Sequence, residues 1–248
     1  MHIIDTLGFE AHVRNMRERR GEKVPIEWYR SPHWYEIIDF PREKIKKSGD
    51  VVRFPWDTAE ADYEFEIAAR FDKSFKTSSE KEAVEFVKTK MHFAIFNDFS
   101  CRDRQKEDRA MGIGVARSKS MADKAFGKWI PASSLDFDEN GIPFINMKLW
   151  VNGFSRMISY FNTIYFMYPP DACQKLKCVW GAAQVIAYFG RIGRGFKKGT
   201  VLGSGTVGQG SIAETRPLYD WLHTGDKVTL ETDALGSLEN KIIIQTKD

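Results

Sequence analysis

The sequence predicts an α+β domain rich in β-structure. Three observations carry that prediction: short apolar runs with period-two alternation, turn chemistry between them, and few segments with a helical period. Regular alternation of strand and helix, the mark of βαβ units, is missing from the pattern.

Residues 8 to 20 read as an amphipathic helix ending at Gly21, with Phe9, Val13 and Met16 on one face. The Pro- and aromatic-rich stretch VPIEWYRSPHWYEIIDFP reads as extended or turning chain. DYEFEIAAR, residues 62 to 70, alternates; as a strand it sends Tyr63, Phe65 and Ile67 to one face and Glu64 and Glu66 to the other. Ser79 stands three residues before Glu82, a capping-box pattern opening a surface helix in SSEKEAVEFVKTK. MHFAIFND, 91 to 98, is a buried strand ending in a turn, and RDRQKEDRA is a short helix. KWIPAS and FINMKLWVNG are strands, the second turning at Asn152-Gly153. Residues 174 to 189 form the main core helix, and strands at 200 to 204, 227 to 232 and 240 to 245 finish the chain. No repeat or linker divides the 248 residues, so one catalytic domain, 59–248, is expected behind an N-terminal extension, 1–58.

Composition narrows the function. Apolar residues make up 42% and charged residues 29%, as in ordinary globular proteins. The net charge is +3, and the densest basic run, RNMRERRGEK at 14 to 23, reads as the solvated face of a helix rather than a nucleic-acid surface. No stretch approaches the ~20 apolar residues of a membrane span, and the start lacks a basic region followed by an apolar one, so a cytoplasmic protein is expected. Cys101, Cys173 and Cys178 form no C-x-x-C pair, and the five histidines include no H-E-x-x-H. A metal held here would therefore have oxygen ligands.

GSGTVG, at 203 to 208, has dinucleotide-loop spacing, but the following QGSIAETRPLYD has no helical period, so neither NAD nor FAD is expected. Its glycines instead let the backbone approach a ligand, with Gly205 and the hydroxyl of Thr206 as substrate-binding candidates. Glu64 and Glu66 fit either a solvated strand face or a divalent-cation site; a third acid, Asp98, follows the strand at 91 to 98. Three carboxylates converging on a buried point would repel, and a divalent ion resolves that conflict. Arg102 and Lys119 would supply positive charge for an anionic substrate.

DYEFEIAA, IFNDFSCRDRQ, VARSKSMADKAFGKWIP, LWVNG, VLGSGTVGQG and GDKVTLETDALGSLEN, in that order, resemble the successive motifs of the fumarylacetoacetate hydrolase family. GFEAHVRNMRERRG resembles its helical lid. The resemblance implies a mixed β-roll with flanking helices, a homodimer, and Mg²⁺, with Mn²⁺ or Ca²⁺ as alternatives, held by Glu64, Glu66 and Asp98. It implies substrate contacts from Arg102 and Gln105, a catalytic Lys119, a substrate-binding Thr206, and His12 as the residue that activates water. In hydrolytic members a Glu three residues on orients that histidine; this chain has Asn15 there, so Glu10 or Glu18 would have to substitute. Gly127-Lys128 replaces the usual Gly-Pro, and FSRMISYFN keeps little of the family's polar pattern. The expected activity is metal-dependent cleavage of a C–C bond in an acylpyruvate-like 2,4-dioxo acid. Decarboxylation, dehydration or tautomerisation of a 2-oxo acid is the alternative, and a non-enzymatic binder on a degenerate fold is the rival from another class.

Overall fold

The computed structural model describes residues 1–169 and 179–247. In chain order its elements are β1 (Ile3–Thr6), α1 (Glu10–Glu18), α2 (Ile26–Arg30), β2 (Trp34–Ile37), β3 (Ile45–Lys46), β4 (Val51–Phe54), β5 (Ala61–Asp62) and β6 (Phe65–Phe71). Then come α3 (Glu80–Lys90), β7 (Met91–Asn97), β8 (Ser100–Cys101), α4 (Arg102–Ala110), α5 (Ala116–Lys119), β9 (Lys124–Phe126) and β10 (Ile130–Pro131). β11 (Asn146–Val151), β12 (Phe154–Tyr160), α6 (Ala182–Arg191), β13 (Val201–Gly203), α7 (Ile212–Thr215), β14 (Lys227–Thr232) and β15 (Gly236–Ile244) complete it. The fold is α+β and strand-rich, as the sequence predicts.

An eight-stranded mixed sheet runs β2-β1-β13-β6-β7-β9-β3, with β10 also paired to β7; a five-stranded sheet runs β12-β11-β14-β15-β4. β1 lies parallel to β13, and β4 parallel to β15, so residues from before position 59 are woven into both sheets. The strand at 62 to 70 breaks in two: Asp62 pairs with Ser100, Phe65–Phe71 pairs with β7, and Glu64 between them bridges to Ser211. Both faces of β6 are buried except at Arg70, near its end. Phe65, Ile67 and Phe71 enter the main core, while Ala68 joins a second cluster with Ile3, Phe96, Phe126 and Val201. The solvated-face reading of Glu64 and Glu66 is corrected: they are only 3% and 1% exposed, because their carboxyls face Arg102, Lys119, Asp5 and Asp98 inside the molecule.

Local chemistry explains most element ends. Asn152 and Gly153 take φ of 54° and 81°, the paired left-handed conformations of a tight hairpin turn between β11 and β12. Ser79 Oγ accepts the Glu82 amide at 3.3 Å; the return half of the box passes through Thr77, whose hydroxyl accepts the Ser79 amide at 3.0 Å and donates to the Glu82 carboxylate. Three expectations shift. α2 forms where extended chain is expected, because Pro25 stands at the helix entrance, where a missing N–H costs nothing, and Trp28 and Tyr29 bury against Trp180. The core helix begins at Ala182, not 174; positions 174 to 178 lie outside the described residues, and Val179 instead bridges to Tyr165. KWIPAS yields only the two-residue β10. Among the described residues no helix is long and apolar enough to cross a membrane.

Candidate active site

Three neighbouring strands of the large sheet bring the first acids together. In β1, Asp5 lies in register with Gly203 of β13, and Gly203 in turn with Ala68 of β6, two positions beyond Glu66. A Cβ at Gly203 would collide with Asp5 Oδ1 and stand 3.0 Å from Glu66 Oε2, so glycine is what lets the two carboxyls meet across that strand. Asp98 follows β7, its amide donating to the Glu64 carbonyl at 3.0 Å. Oxygens of Asp5, Glu66 and Asp98 all lie within 4.8 Å of one another, and all three residues are buried.

Charge is distributed unevenly over this cluster. Burial, then Asp98, pushes the Asp5 carboxyl up to about 6. Burial, then Asp5 and Asp98, drives Glu66 well above the usual carboxylate range, and its Oε2 is buried with no hydrogen-bond partner. Thr206 Oγ1 donates to Glu66 Oε1 at 3.3 Å, and the Gly205 amide, at φ 78°, donates to Asp5 Oδ1 at 3.3 Å. Asp98 is better compensated: it accepts from Tyr35 Oη and from the ammonium of Lys119, and Lys124 lies against its other oxygen. An all-oxygen set with an unpartnered buried carboxylate oxygen fits a hard divalent cation.

Glu64 has different company. It accepts from Arg102 Nη2 at 2.7 Å, from Ser100 Oγ at 3.0 Å, and from Lys119. Burial alone would raise it, but Arg102 and Lys119 hold it well below the carboxylate range. Arg102 is a hub: Nε donates to Asp62 at 2.7 Å and Nη1 to Gln105 Oε1 at 2.9 Å. Asp62 also accepts the amides of Ile212 and Ala213 at 2.7 and 3.1 Å, which fixes α7 beside the cluster.

α7 carries Glu214, and Glu214 holds His12: Nδ1 to Oε1 is 2.6 Å. The other carboxylate oxygen accepts from Asn15 Nδ2 at 2.9 Å and from the Gln209 amide at 2.8 Å. His12 Nε2 then stands 4.0 Å from Glu64 Oε1. Burial would pull the imidazole down, but Glu214, and then Glu64, keep it above the ordinary histidine value. Glu10 and Glu18 do not serve as its partner. Glu10 is engaged by Tyr29 Oη at 2.6 Å and the Met167 amide at 2.6 Å, and Glu18 is exposed.

The structure thus gathers His12, Glu64, Glu66, Arg102, Gln105, Lys119, Gly205 and Thr206 around one cavity of about 450 Å³, whose floor Asp5 also lines. Asp5, Asp62, Glu214, Tyr35 and Lys124 were not anticipated. Asp5 closes the apolar run HIID, and Glu214 sits in SIAET; each is a lone acid without a spacing partner, so only the tertiary pairing of β1 with β13 and the Asp62 anchor of α7 reveals them.

Buried acids, a buried lysine and arginine, and an imidazole held by a carboxylate, converging in one cleft of a mixed β-roll, define an enzyme of the kind that handles small anionic acids. The chain matches the family model described as fumarylacetoacetate (FAA) hydrolase C-terminal over residues 2–243, and it belongs to the fumarylacetoacetate hydrolase family. Among solved structures it is similar to fumarylpyruvate hydrolase from Pseudomonas aeruginosa in complex with Mn²⁺ and pyruvate, at 19% identity and TM-score 0.67, covering 99% of this chain and 90% of that one. It is also similar to 5-carboxymethyl-2-hydroxymuconate delta-isomerase from Mycobacterium smegmatis (19%, TM-score 0.67, 99% and 80% covered). A third similar fold is 2-hydroxyhepta-2,4-diene-1,7-dioate isomerase from Mycobacterium marinum (17%, TM-score 0.66, 99% and 75%). At these identities the likeness is one of fold. No curated protein matches the chain in sequence.

Proposed function

We propose that this chain is a divalent-metal-dependent hydrolase that cleaves a C–C bond in an acylpyruvate-like 2,4-dioxo acid. The observation that carries this reading is the His12–Glu214 pair, since a carboxylate on Nδ1 leaves Nε2 free to take a proton and stabilises the imidazolium that results. Decarboxylation needs no base, and dehydration or tautomerisation would use the same imidazole on a C–H proton instead of on water, so the His12 variant must be assayed against each reaction.

Asp5, Glu66 and Asp98 would hold the cation, with Glu64 as the fourth carboxylate beside them. Magnesium is the expected ion, with manganese or calcium as substitutes. A divalent ion held there would offset two of the carboxylate charges and supply Lewis acidity toward the oxo acid. His12 Nε2 takes the proton of the attacking water, and Glu214, held by Asn15 and the Gln209 amide, steadies the charged ring. Lys119 and Arg102 place fixed positive charge where negative charge gathers on the substrate as the bond breaks. Gln105, Gly205 and Thr206 orient the substrate at the cavity wall.

A cytoplasmic homodimer acting on small anionic substrates completes the proposal. Phe154, Ile158 and Tyr160 stand exposed along the edge strand β12, which supports pairing with a second copy. The deciding experiment is His12→Ala assayed with acylpyruvates and with oxaloacetate in the presence of Mg²⁺ or Mn²⁺. Hydrolysis is expected to fall by about 10²–10⁴ in kcat. Unchanged acylpyruvate turnover, with oxaloacetate the better substrate, would establish the decarboxylase instead.

A further inference from the structure

α4 turns three polar side chains toward one cavity. Arg102, Gln105 and Arg109 are spaced three and four apart, so they share a helix face, and all three line the cleft. They sit at different depths: Arg102 and Gln105 are buried at its floor, and Arg109 is exposed at its mouth. At a rise of about 1.5 Å per residue, Arg102 and Arg109 lie roughly 10 Å apart along the axis.

The two guanidiniums differ in their partners. Arg102 is committed to Asp62, Glu64 and Gln105. The Arg109 guanidinium makes no hydrogen bond or ion pair among the described residues; its backbone carbonyl accepts the Gly112 amide. Opposite it, the end of the lid segment brings Arg17 and Arg20, which share the Glu22 carboxylate at 2.8 and 3.1 Å. Glu27 is the one acid lining the mouth, against three arginines. Burial, then the proximity of Arg20 and Arg102, pulls the Arg109 guanidinium down, and Glu22 and Glu60 offset this only in part.

We infer that Arg109, assisted by Arg20, selects substrates bearing a second anionic group at the end remote from the carboxylate cluster, so that the cleft prefers a dicarboxylic oxo acid over a monocarboxylic one. The inference rests on the proposed function for the orientation of the oxo-acid end. A guanidinium fork matches a carboxylate with two parallel hydrogen bonds, and an unpaired one at a pocket mouth loses no existing partner when it binds.

The test is binding of 2-oxoadipate and of 2-oxohexanoate, equal in carbon count and differing by one carboxylate, to the full chain in buffer containing Mn²⁺, read by calorimetry. The wild-type protein is expected to bind the diacid at least about tenfold tighter, with the ratio falling as ionic strength rises. Arg109→Gln is expected to bring the ratio to about twofold or less, and Arg109→Lys to leave it between the two. A wild-type ratio near one, no detectable diacid binding, or a wild-type ratio retained in Arg109→Gln would overturn the inference. Diacid preference without turnover of any acylpyruvate sinks the hydrolase reading alone; acylpyruvate turnover without diacid preference sinks this one alone.

Discussion

Glu64 and Glu66 stand two residues apart and are equally buried, yet their surroundings drive them in opposite directions. Glu64 is held ionised by Arg102 and Lys119, while Glu66, set against Asp5 and Asp98, is pushed well above the carboxylate range. An E-x-E pair read from sequence looks symmetric; in the fold, one member belongs to a balanced ion-pair network and the other to a cluster short of positive charge. The balanced side is built to position groups, because every charge there already has a partner. The unbalanced side is built to receive a cation, because only added positive charge lets all its acids ionise together.

The largest effect should come from the unbalanced side. Glu66→Ala is expected to weaken Mn²⁺ binding by about 100-fold or more and to abolish turnover, and Asp5→Asn to weaken binding to a similar degree. Titration calorimetry of both variants checks this. Unchanged affinity in Glu66→Ala would break the comparison at its root, while unchanged affinity in Asp5→Asn would return the ligand set to Glu64, Glu66 and Asp98.

Next is the base. Glu214→Gln is expected to lower kcat by about 10²-fold or more, nearly as much as His12→Ala, and the double variant should fall little further, because the two act as a unit. Additive losses in steady-state kinetics would show that Glu214 merely packs against the ring.

On the balanced side, removing a partner should show in stability before chemistry. Asp62→Asn leaves Arg102 with one carboxylate fewer and loosens the start of α7. Breaking a buried pair in this way costs about 3 kcal/mol, measurable as a lower denaturant midpoint at unchanged slope. A loss under about 0.5 kcal/mol would mean that Glu64 and Gln105 alone hold the guanidinium.

How far the sequence exposed this division can be followed residue by residue. Local rules found most strands beyond residue 60, the Ser79 cap and the Asn152-Gly153 turn, because each depends on neighbours within a few positions, but they missed β1 and β4. The resemblance to the family's ordered motifs, not periodicity, singled out Glu64, Glu66, Asp98, Arg102 and Lys119 together. What they could not show is which oxygen faces which cation. Asp5 reaches the cluster through a parallel pairing with residues about 200 positions away, and Glu214 reaches His12 across a similar gap. A carboxylate's role depends on such contacts, and periodicity carries no information about them.

Asn15 is where the local and the tertiary readings conflict most, and it offers the smallest but sharpest test. By family pattern a glutamate belongs there to orient the histidine, and its replacement by an amide reads as a damaged dyad. In the structure the carboxylate comes from Glu214 instead, and Asn15 supports it by donating Nδ2 at 2.9 Å. A donor is what that oxygen requires, so restoring the pattern should harm the enzyme. Asn15→Ala removes one hydrogen bond to a charged group, worth about 1.5–3 kcal/mol at most, and should lower kcat about tenfold. Asn15→Glu sets a second carboxylate against the first and should lower it further, although it rebuilds the expected sequence. An increase in kcat for Asn15→Glu would show that the glutamate within the lid, and not the one on α7, is the partner His12 uses.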